Sequence, residues 1–238
     1  GKSVIALTAI LELCLERFEI SRVLVIAPLR VARDTWPAEI QKWDHLKDLT
    51  YSVAVGTANE RRAALRQKTF VHIINRENVQ WLIEDSGIPW QYDMVVIDEL
   101  SSFKNHQSKR FKSLMKARPG VRRMVGLTGT PSSNGLMDLW SEFRVLDMGK
   151  RLGRFITHYR EQFFEPDRRN GMQVFSYKPR AGAEREIYRR IGDITISMRS
   201  ADYLKMPECV MNTVPVKLDS TEYEVYELSL IHISEPTR

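Results

Sequence analysis

The chain has 238 residues and a mass of 27.7 kDa, which is the size of one large domain or two small ones. Apolar residues make up 43% of it and charged residues 28%, and we expect neither a membrane span nor a signal peptide. Cys14 and Cys209 lie far apart without metal-ligand spacing, so we expect no disulfide scaffold or zinc site and an intracellular protein, cytoplasmic in a bacterium or phage and nuclear in a eukaryote.

The net charge of +6 is unevenly distributed along the chain. Residues 104–123 contain eight Lys/Arg and no Asp/Glu, and residues 150–190 contain eleven Lys/Arg and five Asp/Glu. The rest of the chain is therefore acidic. Two basic segments on an acidic body indicate either a surface for a polyanion such as nucleic acid or solvated basic helix faces, and charge alone does not separate the two.

Short apolar segments alternate with helical patterns along the first 149 residues. Strands are predicted at Arg22–Ala27, Tyr51–Val55, Phe70–Ile74, Met94–Ile97 and Met124–Leu127. Helices are predicted at Ser3–Phe18, Glu60–Gln67, Asn78–Asp85 and Leu136–Leu146. This alternation predicts an α/β domain with a mostly parallel sheet and helices on both faces.

The composition changes after Gly149. Residues 150–197 are rich in basic and aromatic side chains and predict a basic helical insertion or subdomain, with a turn at Asp167–Gly171. An extended segment then begins at Met206, with a strand at Val210–Leu218 and a helix that starts at Asp219 or Ser220.

The first residues, Gly1-Lys2-Ser3, stand directly before an apolar helix. They match the last third of the phosphate-binding loop G-x-x-x-x-G-K-[ST]. In that loop, backbone N–H groups bind phosphate, the lysine neutralises phosphate charge and the hydroxyl binds Mg²⁺. Three residues also occur by chance, so this interpretation depends on a partner motif elsewhere.

Two carboxylates follow the apolar strand Met94–Ile97. At the end of such a strand Asp98 can hold Mg²⁺, and Glu99 can orient and deprotonate the attacking water. An ordinary strand with an acidic turn is the alternative. Because Lys2 and Ser3 stand about 95 residues earlier in the same α/β chain, the combination favours a site for ATP and Mg²⁺.

A third polar group, Thr128-Gly129-Thr130, closes the strand that ends at Leu127. A glycine there lets the backbone approach a ligand, and the hydroxyls can bond neighbouring carboxylates. A plain loop is the alternative.

Taken in order, these stretches resemble the N-terminal RecA-like lobe of a superfamily 2 helicase, in the Swi/Snf-type branch of DNA-dependent ATPases. The resemblance rests on motif I at Gly1–Ser3, motif Ia at Val25–Pro28 with Trp36, Glu39 and Trp43, motif II at Ile97–Ser101 with Phe103–Asn105, and motif III at Leu127–Pro131 with Asn134, Leu136 and Asp138–Trp140. It implies a RecA-like P-loop domain. It also implies that Thr128, Gly129 and Thr130 lie with Gly1, Lys2, Ser3, Asp98 and Glu99 at the nucleotide.

Ser101 and the segment 229–238 depart from the family pattern. The family usually has His where this chain has Ser101. Residues 198–228 resemble the bridge to a second RecA-like lobe, which we expect as a partner within a longer chain. Residues 229–238 do not resemble the family, and we expect a non-native tail there.

Nucleic-acid contacts are implied by the same resemblance. Motif Ia, with Arg30 and Arg33, lies on the DNA side in the family, and the region after motif II faces DNA; here that region holds Lys104, Lys109, Arg110 and Lys112. Arg30 and Arg33 are equally interpretable as solvated helix residues. The aromatic side chains Phe155, Tyr159, Phe163, Phe164 and Tyr177 stack on bases or, as we favour, form a small core of their own. The five tryptophans are interpreted as packing residues.

The resemblance therefore implies the ATP-binding lobe of a DNA-dependent ATPase that translocates on duplex DNA or remodels complexes on it. Three alternatives stay open: a strand-separating superfamily 2 helicase, a catalytically silent nucleic-acid-binding module as the isolated fragment, and a P-loop metabolic kinase.

Overall fold

The computed structural model describes residues 1–129, 135–170 and 173–197, together with Asn212, Pro215, Asp219, Glu222, Tyr223 and Tyr226. Contacts divide the chain into two compact units, Gly1–Thr195 and Ile196–Arg238. Within the described residues, no helix is both long and apolar enough to cross a membrane.

The strands and helices of the first unit follow one another in a regular order. The strands are β1 (Val23–Ala27), β2 (Tyr51–Ala54), β3 (Val71–Asn75), β4 (Met94–Asp98), β5 (Arg123–Leu127), β6 (Phe164–Asn170) and β7 (Gln173–Pro179). The helices are α1 (Lys2–Leu11), α2 (Trp36–Lys42), α3 (Ala58–Leu65), α4 (Val79–Glu84), α5 (Lys109–Ala117), α6 (Leu136–Asp147), α7 (Ile156–Phe163) and α8 (Ala183–Ile191).

Strands β1 to β5 form one parallel sheet in the order β2-β3-β1-β4-β5. All five lie where the sequence predicts them, with ends that differ by one residue at most. Because every strand runs in the same direction, the carboxyl ends of all five lie along one edge of the sheet. The predicted α/β fold with a parallel sheet is confirmed.

Helices cover both faces of this sheet. On one face, alternate residues such as Val25 and Ile73 pack with Leu7 of α1 and Ile40 of α2. On the other face, the intervening residues of the same strands pack with α3, α4, α5 and Val145 of α6. Burial on both faces explains why the strands are apolar at nearly every position rather than at every second one.

Helix α1 is shorter than the sequence predicts. The α-helical part ends at Leu11, and the chain continues as a π-helical turn over Glu12–Glu16. Phe18 then takes a left-handed conformation, with φ of 53°, which ends the helical path. The apolar periodicity of Ser3–Phe18 does not reveal the change of helical type, because the π turn still buries Cys14.

Residues 150–195 belong to the same compact unit as the sheet. Helices α7 and α8 are separated by the antiparallel hairpin β6–β7, which the sequence analysis missed. The turn predicted at Asp167–Gly171 is wrong for Asp167–Asn170, which lie within β6, and Gly171 lies outside the described residues. Pro166 and the charged residues beside it hide the strand pattern.

A third core joins this region to α6. Tyr159, Phe163 and Phe164 are buried there against Leu139 and Phe143 of α6, as the favoured interpretation of the aromatic residues predicts. Phe155 and Tyr177 remain exposed. Three of the five aromatic side chains therefore serve packing.

The second unit is described at few positions. The Asp219 side chain accepts from the backbone N–H of Glu222, and the Glu222 side chain accepts from that of Asp219. These reciprocal bonds form a capping box, so the predicted helix start lies at Asp219. The bridge residues Met198, Arg199, Leu204 and Pro207, nearly all of the strand Val210–Leu218 and the segment 229–238 lie outside the described residues.

Arg118 is a buried cation that serves the fold. Its guanidinium donates to the carbonyl oxygens of Val145, Leu146 and Val121 at 2.6, 2.5 and 2.9 Å. Two of these carbonyls belong to the last turn of α6, where backbone acceptors lack helical partners. Arg118 thus ties the end of α6 to the chain segment that enters β5.

His72 of β3 is fully buried and neutral. Its Nε2 donates to the carbonyl of Gln67 at 3.1 Å, which leaves Nδ1 to accept from the Tyr92 hydroxyl at 2.8 Å. Burial lowers the pKa of His72, and the nearby charge of Arg22 acts in the same direction. Burial thus favours the neutral ring, in which one nitrogen donates and the other accepts.

Replacing Tyr92 by Phe tests this buried pair. The change removes the donor to Nδ1 of His72 and leaves that nitrogen unpaired in the core, so we expect the free energy of unfolding to fall by about 1–3 kcal/mol. Urea denaturation measures it. Tyr188→Phe, on a side chain 41% exposed, is the control and should change it by less than about 0.5 kcal/mol. Equal losses in the two variants would contradict the assignment.

Candidate nucleotide and nucleic-acid site

The polar residues singled out by the sequence lie along the carboxyl edge of the sheet. Asp98 is the last residue of β4 and pairs in register with Leu127, the last residue of β5. Glu99 and Thr128 therefore leave adjacent strands at the same edge. Thr130 lies outside the described residues.

Lys2 reaches this edge from helix α1. Gly1 is the N-cap of that helix, and Ser3 lies in its first turn. The Nζ of Lys2 lies 3.6 Å from the position that a Cβ on Gly129 would occupy. The start of α1 and the end of β5 are thus in contact range, and the glycine leaves the space beside the ammonium group open.

Asp98 is oriented by a tryptophan from the neighbouring segment. Trp36, the first residue of α2, is fully buried, and its Nε1 donates to Oδ2 of Asp98 at 2.9 Å. This bond gives Trp36 a polar role beyond the packing role that the sequence predicts. A buried indole N–H needs a hydrogen-bond acceptor, and this need can be expected from the sequence. The sequence does not show that the acceptor is Asp98, because the pairing of β1, which leads to Trp36, with β4 is a feature of the fold.

Glu99 takes a left-handed backbone conformation, with φ of 61°. A non-glycine residue there costs about 1–3 kcal/mol, so neighbouring contacts must hold it. Leu100 supplies one, because its Cδ2 lies 2.5 Å from where a Cβ on Gly126 of β5 would be. Ser101 supplies another, since its hydroxyl donates to Oε1 of Glu99.

Ser101 stands at the position where the resembled family usually has His. Its bond to Glu99 gives it a partner within motif II itself. The short 3₁₀ turn Leu100–Phe103 carries Ser101 back toward the carboxylate. The side chain of Glu99 is therefore held on the side of that turn.

Glu142 is a buried acid that the sequence analysis did not single out. It lies on α6 and is 1% exposed. Burial raises its pKa to about 8, and the negative charges of Asp138 and Glu99 add to the shift while Lys104 opposes it. Glu142 is therefore mainly protonated at neutral pH and adds little negative charge beside Glu99.

The residues predicted to contact nucleic acid differ in their environments. Arg33 is bound to Asp34 by two hydrogen bonds, at 2.8 and 2.9 Å, whereas Arg30 is exposed. On α5, Lys109 and Lys112 are exposed, and the guanidinium of Arg110 lies 5.8 Å from the centroid of the Phe103 ring. Lys104 is part-buried, with its Nζ 3.9 Å from Oδ2 of Asp138.

Much of the first basic segment serves intramolecular contacts. Lys116 pairs with Glu84, Arg123 with Glu19, and Arg122 donates to the carbonyl of Glu19. With Arg118, these make four of the eight basic residues in 104–123. The run of charge is therefore a weaker sign of a polyanion surface than the sequence suggests.

Comparison with known proteins identifies the family. The sequence profile described as SNF2-related domain matches residues 1–235. The chain belongs to the SNF2-related domain family. It is 37% identical over 224 residues to protein p41 of Acyrthosiphon pisum secondary endosymbiont phage 1, an alignment that covers 92% of this chain and 49% of that protein. It is 35% identical over 127 residues to Helicase ssl-1 of Caenorhabditis elegans, covering 52% of this chain and 5% of that protein.

A solved structure has the same fold. It is titled "Sulfolobus solfataricus SWI2/SNF2 ATPase core in complex with dsDNA", and it is 24% identical with a TM-score of 0.58, covering 68% of this chain and 32% of that chain. This SNF2-related domain thus has the RecA-like α/β fold of that core. It spans about half the length of the phage protein and a smaller part of the others.

Replacing Trp36 by Phe tests the bond that orients Asp98 in this SNF2-related domain. A hydrogen bond to a charged group contributes about 1.5–3 kcal/mol, and the smaller ring adds a packing loss, so we expect the free energy of unfolding to fall by at least that amount. Trp43→Phe is the control, because its Nε1 donates to Glu39 at 3.2 Å on the surface. Chemical denaturation of the two variants should differ clearly, and similar losses would argue against a special role for Trp36.

Glu142→Gln should change the pH dependence of stability. Between its ordinary pKa of 4.5 and about 8, Glu142 binds more protons in the folded than in the unfolded chain, so wild-type stability falls as pH rises through this window. Glutamine does not ionise. We expect the variant to become more stable than wild type by more than about 1 kcal/mol near pH 8, with a smaller difference near pH 5. Denaturation at several pH values measures this, and a difference that does not change with pH would contradict it.

Proposed function

We propose that this chain is the ATP-binding lobe of a DNA-dependent ATPase that translocates on duplex DNA or remodels complexes on it. The observation that carries the proposal is the approach of Lys2 to Gly129 at the sheet edge where Asp98 ends β4. A cation at a helix start, at the sheet edge where a neighbouring strand ends in a carboxylate, is the arrangement that Mg²⁺-nucleotide chemistry needs. Membership of the SNF2-related family supports the same reaction.

The donor set fits ATP and Mg²⁺. Lys2 would bind phosphate oxygens together with the first N–H groups of α1, and Gly129 keeps the space beside the ammonium group free of a side chain. Ser3 and Asp98 offer the hydroxyl and carboxylate oxygens that Mg²⁺ prefers. Thr128 and Thr130 would complete the nucleotide contacts from the end of β5. Bound Mg²⁺ would supply charge neutralisation at the phosphates.

Glu99 is proposed as the base that orients and deprotonates the attacking water. Its left-handed backbone ends β4 directly after Asp98, so Glu99 stands outside the strand that carries Asp98. The hydroxyl of Ser101 fixes one carboxylate oxygen. Protonated Glu142 adds little negative charge beside the Glu99 carboxylate.

Duplex DNA is the proposed polymer substrate. Arg30, Lys109 and Lys112 are exposed and, within the part of the chain that the structure describes, form no salt bridge. Cations of this kind provide sequence-independent affinity for phosphates. We propose a second RecA-like lobe as the partner that closes over the nucleotide, since the chain spans 49% of phage protein p41.

Glu99→Gln tests the proposed base in the longer protein that includes the second lobe. The amide keeps the size of the side chain but cannot accept a proton, so turnover should fall by about 10²–10⁴ while ATP binding is kept. Lys2→Ala should instead weaken ATP binding, because a phosphate partner is lost. Phosphate release and nucleotide binding are measured in parallel. Normal turnover by Glu99→Gln would remove Glu99 from this role.

The salt dependence of DNA binding tests the exposed cations. With three phosphate contacts, log K should fall against log salt with a slope of about −3, and Lys109→Gln with Lys112→Gln should reduce its magnitude by about two. Lys116→Gln is the matched control on α5, because its Nζ is paired with Glu84 at 2.5 Å. Fluorescence anisotropy with labelled duplex gives the slopes. An unchanged slope in the double variant would exclude α5 from the DNA surface.

A further inference from the structure

A cleft of about 300 Å³ opens beside the end of motif II. Its lining includes Lys104 and His106 from the loop after β4, Asp138 and Ser141 from α6, and Ile156 and Arg160 from α7. At about 30 Å³ per water, the volume admits a small anion together with several waters. None of the residues proposed to bind the nucleotide lines it.

Positive charge from both basic segments meets at this cleft. Lys104 belongs to the first segment and Arg160 to the second. Burial lowers the pKa of His106, and the charges of Arg160 and Lys112 lower it further. The charges of Arg160 and Lys112 thus reach His106, and a bound anion would offset them.

Arg160 Nε and Asp138 Oδ2, two atoms of the lining residues, form no hydrogen bond within the described part of the chain. Asp138 Oδ2 has an ionic neighbour, Nζ of Lys104 at 3.9 Å, which lies beyond hydrogen-bond distance. A ligand that bonds to both side chains must carry an acceptor for the arginine and a donor for the carboxylate.

The ends of two helices add to this environment. Met137 and Asp138 from the first turn of α6, and Ile156 from the first turn of α7, line the cleft. Neither helix has a side-chain hydrogen bond at its N-cap. The positive ends of the two helix dipoles therefore add a positive potential at the cleft.

We propose that this cleft binds inorganic phosphate, with Arg160 and Lys104 bound to its anionic oxygens and Asp138 accepting the hydrogen bond of its P–OH group. Near neutral pH inorganic phosphate keeps at least one proton, whereas sulfate and the phosphodiesters of nucleic acid keep none. Asp138 therefore selects phosphate over sulfate, because its carboxylate accepts from the first and repels the second.

The proposed site is independent of the nucleotide contacts at Lys2, Asp98 and Glu99. Its binding to phosphate is measured without ATP or DNA, so its failure and that of the proposed ATPase are separate results. Only the biological source of the ligand rests on the proposed function, because inorganic phosphate is the anion that ATP hydrolysis by this chain would release.

Titration calorimetry of this chain with sodium phosphate and with sodium sulfate, at matched ionic strength near pH 7, tests the proposal. We expect phosphate to bind at least about tenfold more tightly than sulfate, because a site built for a hydrogen-bond donor rejects the analogue that lacks it. This comparison needs no variant. Absence of phosphate binding at millimolar concentration, or equal affinity for the two anions, would overturn the proposal.

Variants assign the roles of Arg160 and Asp138. Arg160→Gln should weaken phosphate binding by about tenfold or more, because a charge-assisted bond is lost, and exposed Arg185→Gln should leave it unchanged. Asp138→Asn should remove most of the preference for phosphate over sulfate. Thermal melting verifies that each variant is folded. Competition by short duplex DNA without terminal phosphates should be absent, and displacement of phosphate by such a duplex would assign the cleft to the DNA backbone instead.

Discussion

Strand β1 lies at the centre of the sheet, and its parallel pairing with β3 on one side and β4 on the other sets the direction of the remaining strands. All five residues of β1 are fully buried, so the strand has no contact with solvent on either face. Its side chains alternate between two separate cores. The common carboxyl edge, and with it every candidate residue for nucleotide chemistry, follows from this pairing.

Buried polar groups tie the helices to that frame. The bond from Trp36 to Asp98 links α2 to the end of β4, and the bonds from Arg118 link the end of α6 to the start of β5. His72 and Tyr92 join β3 to the segment that enters β4. In each of these contacts both partners are hydrogen-bonded, so the loss of one partner leaves the other without its hydrogen bond in the interior.

The sequence is informative where burial alone decides the structure. Strands covered on both faces are runs of apolar, β-branched residues, and all five are predicted to within one residue. The hairpin β6–β7 is not predicted, because Pro166 and neighbouring charges obscure its alternation. The bond between Trp36 and Asp98 and the cleft shared by Lys104 and Arg160 join residues far apart in the chain. Their proximity depends on strand order and helix packing, which local pattern does not contain.

The left-handed backbone of Glu99 sets stability against activity at one position. Glycine would adopt this conformation without that backbone cost of about 1–3 kcal/mol, so a glycine would relieve the strain at this position. That substitution also deletes the carboxylate. If Glu99 is the base that we propose, selection for stability alone would favour glycine here and would give an inactive protein. The frequency of glutamate at this position among relatives would then measure how strongly ATP turnover has been selected over stability.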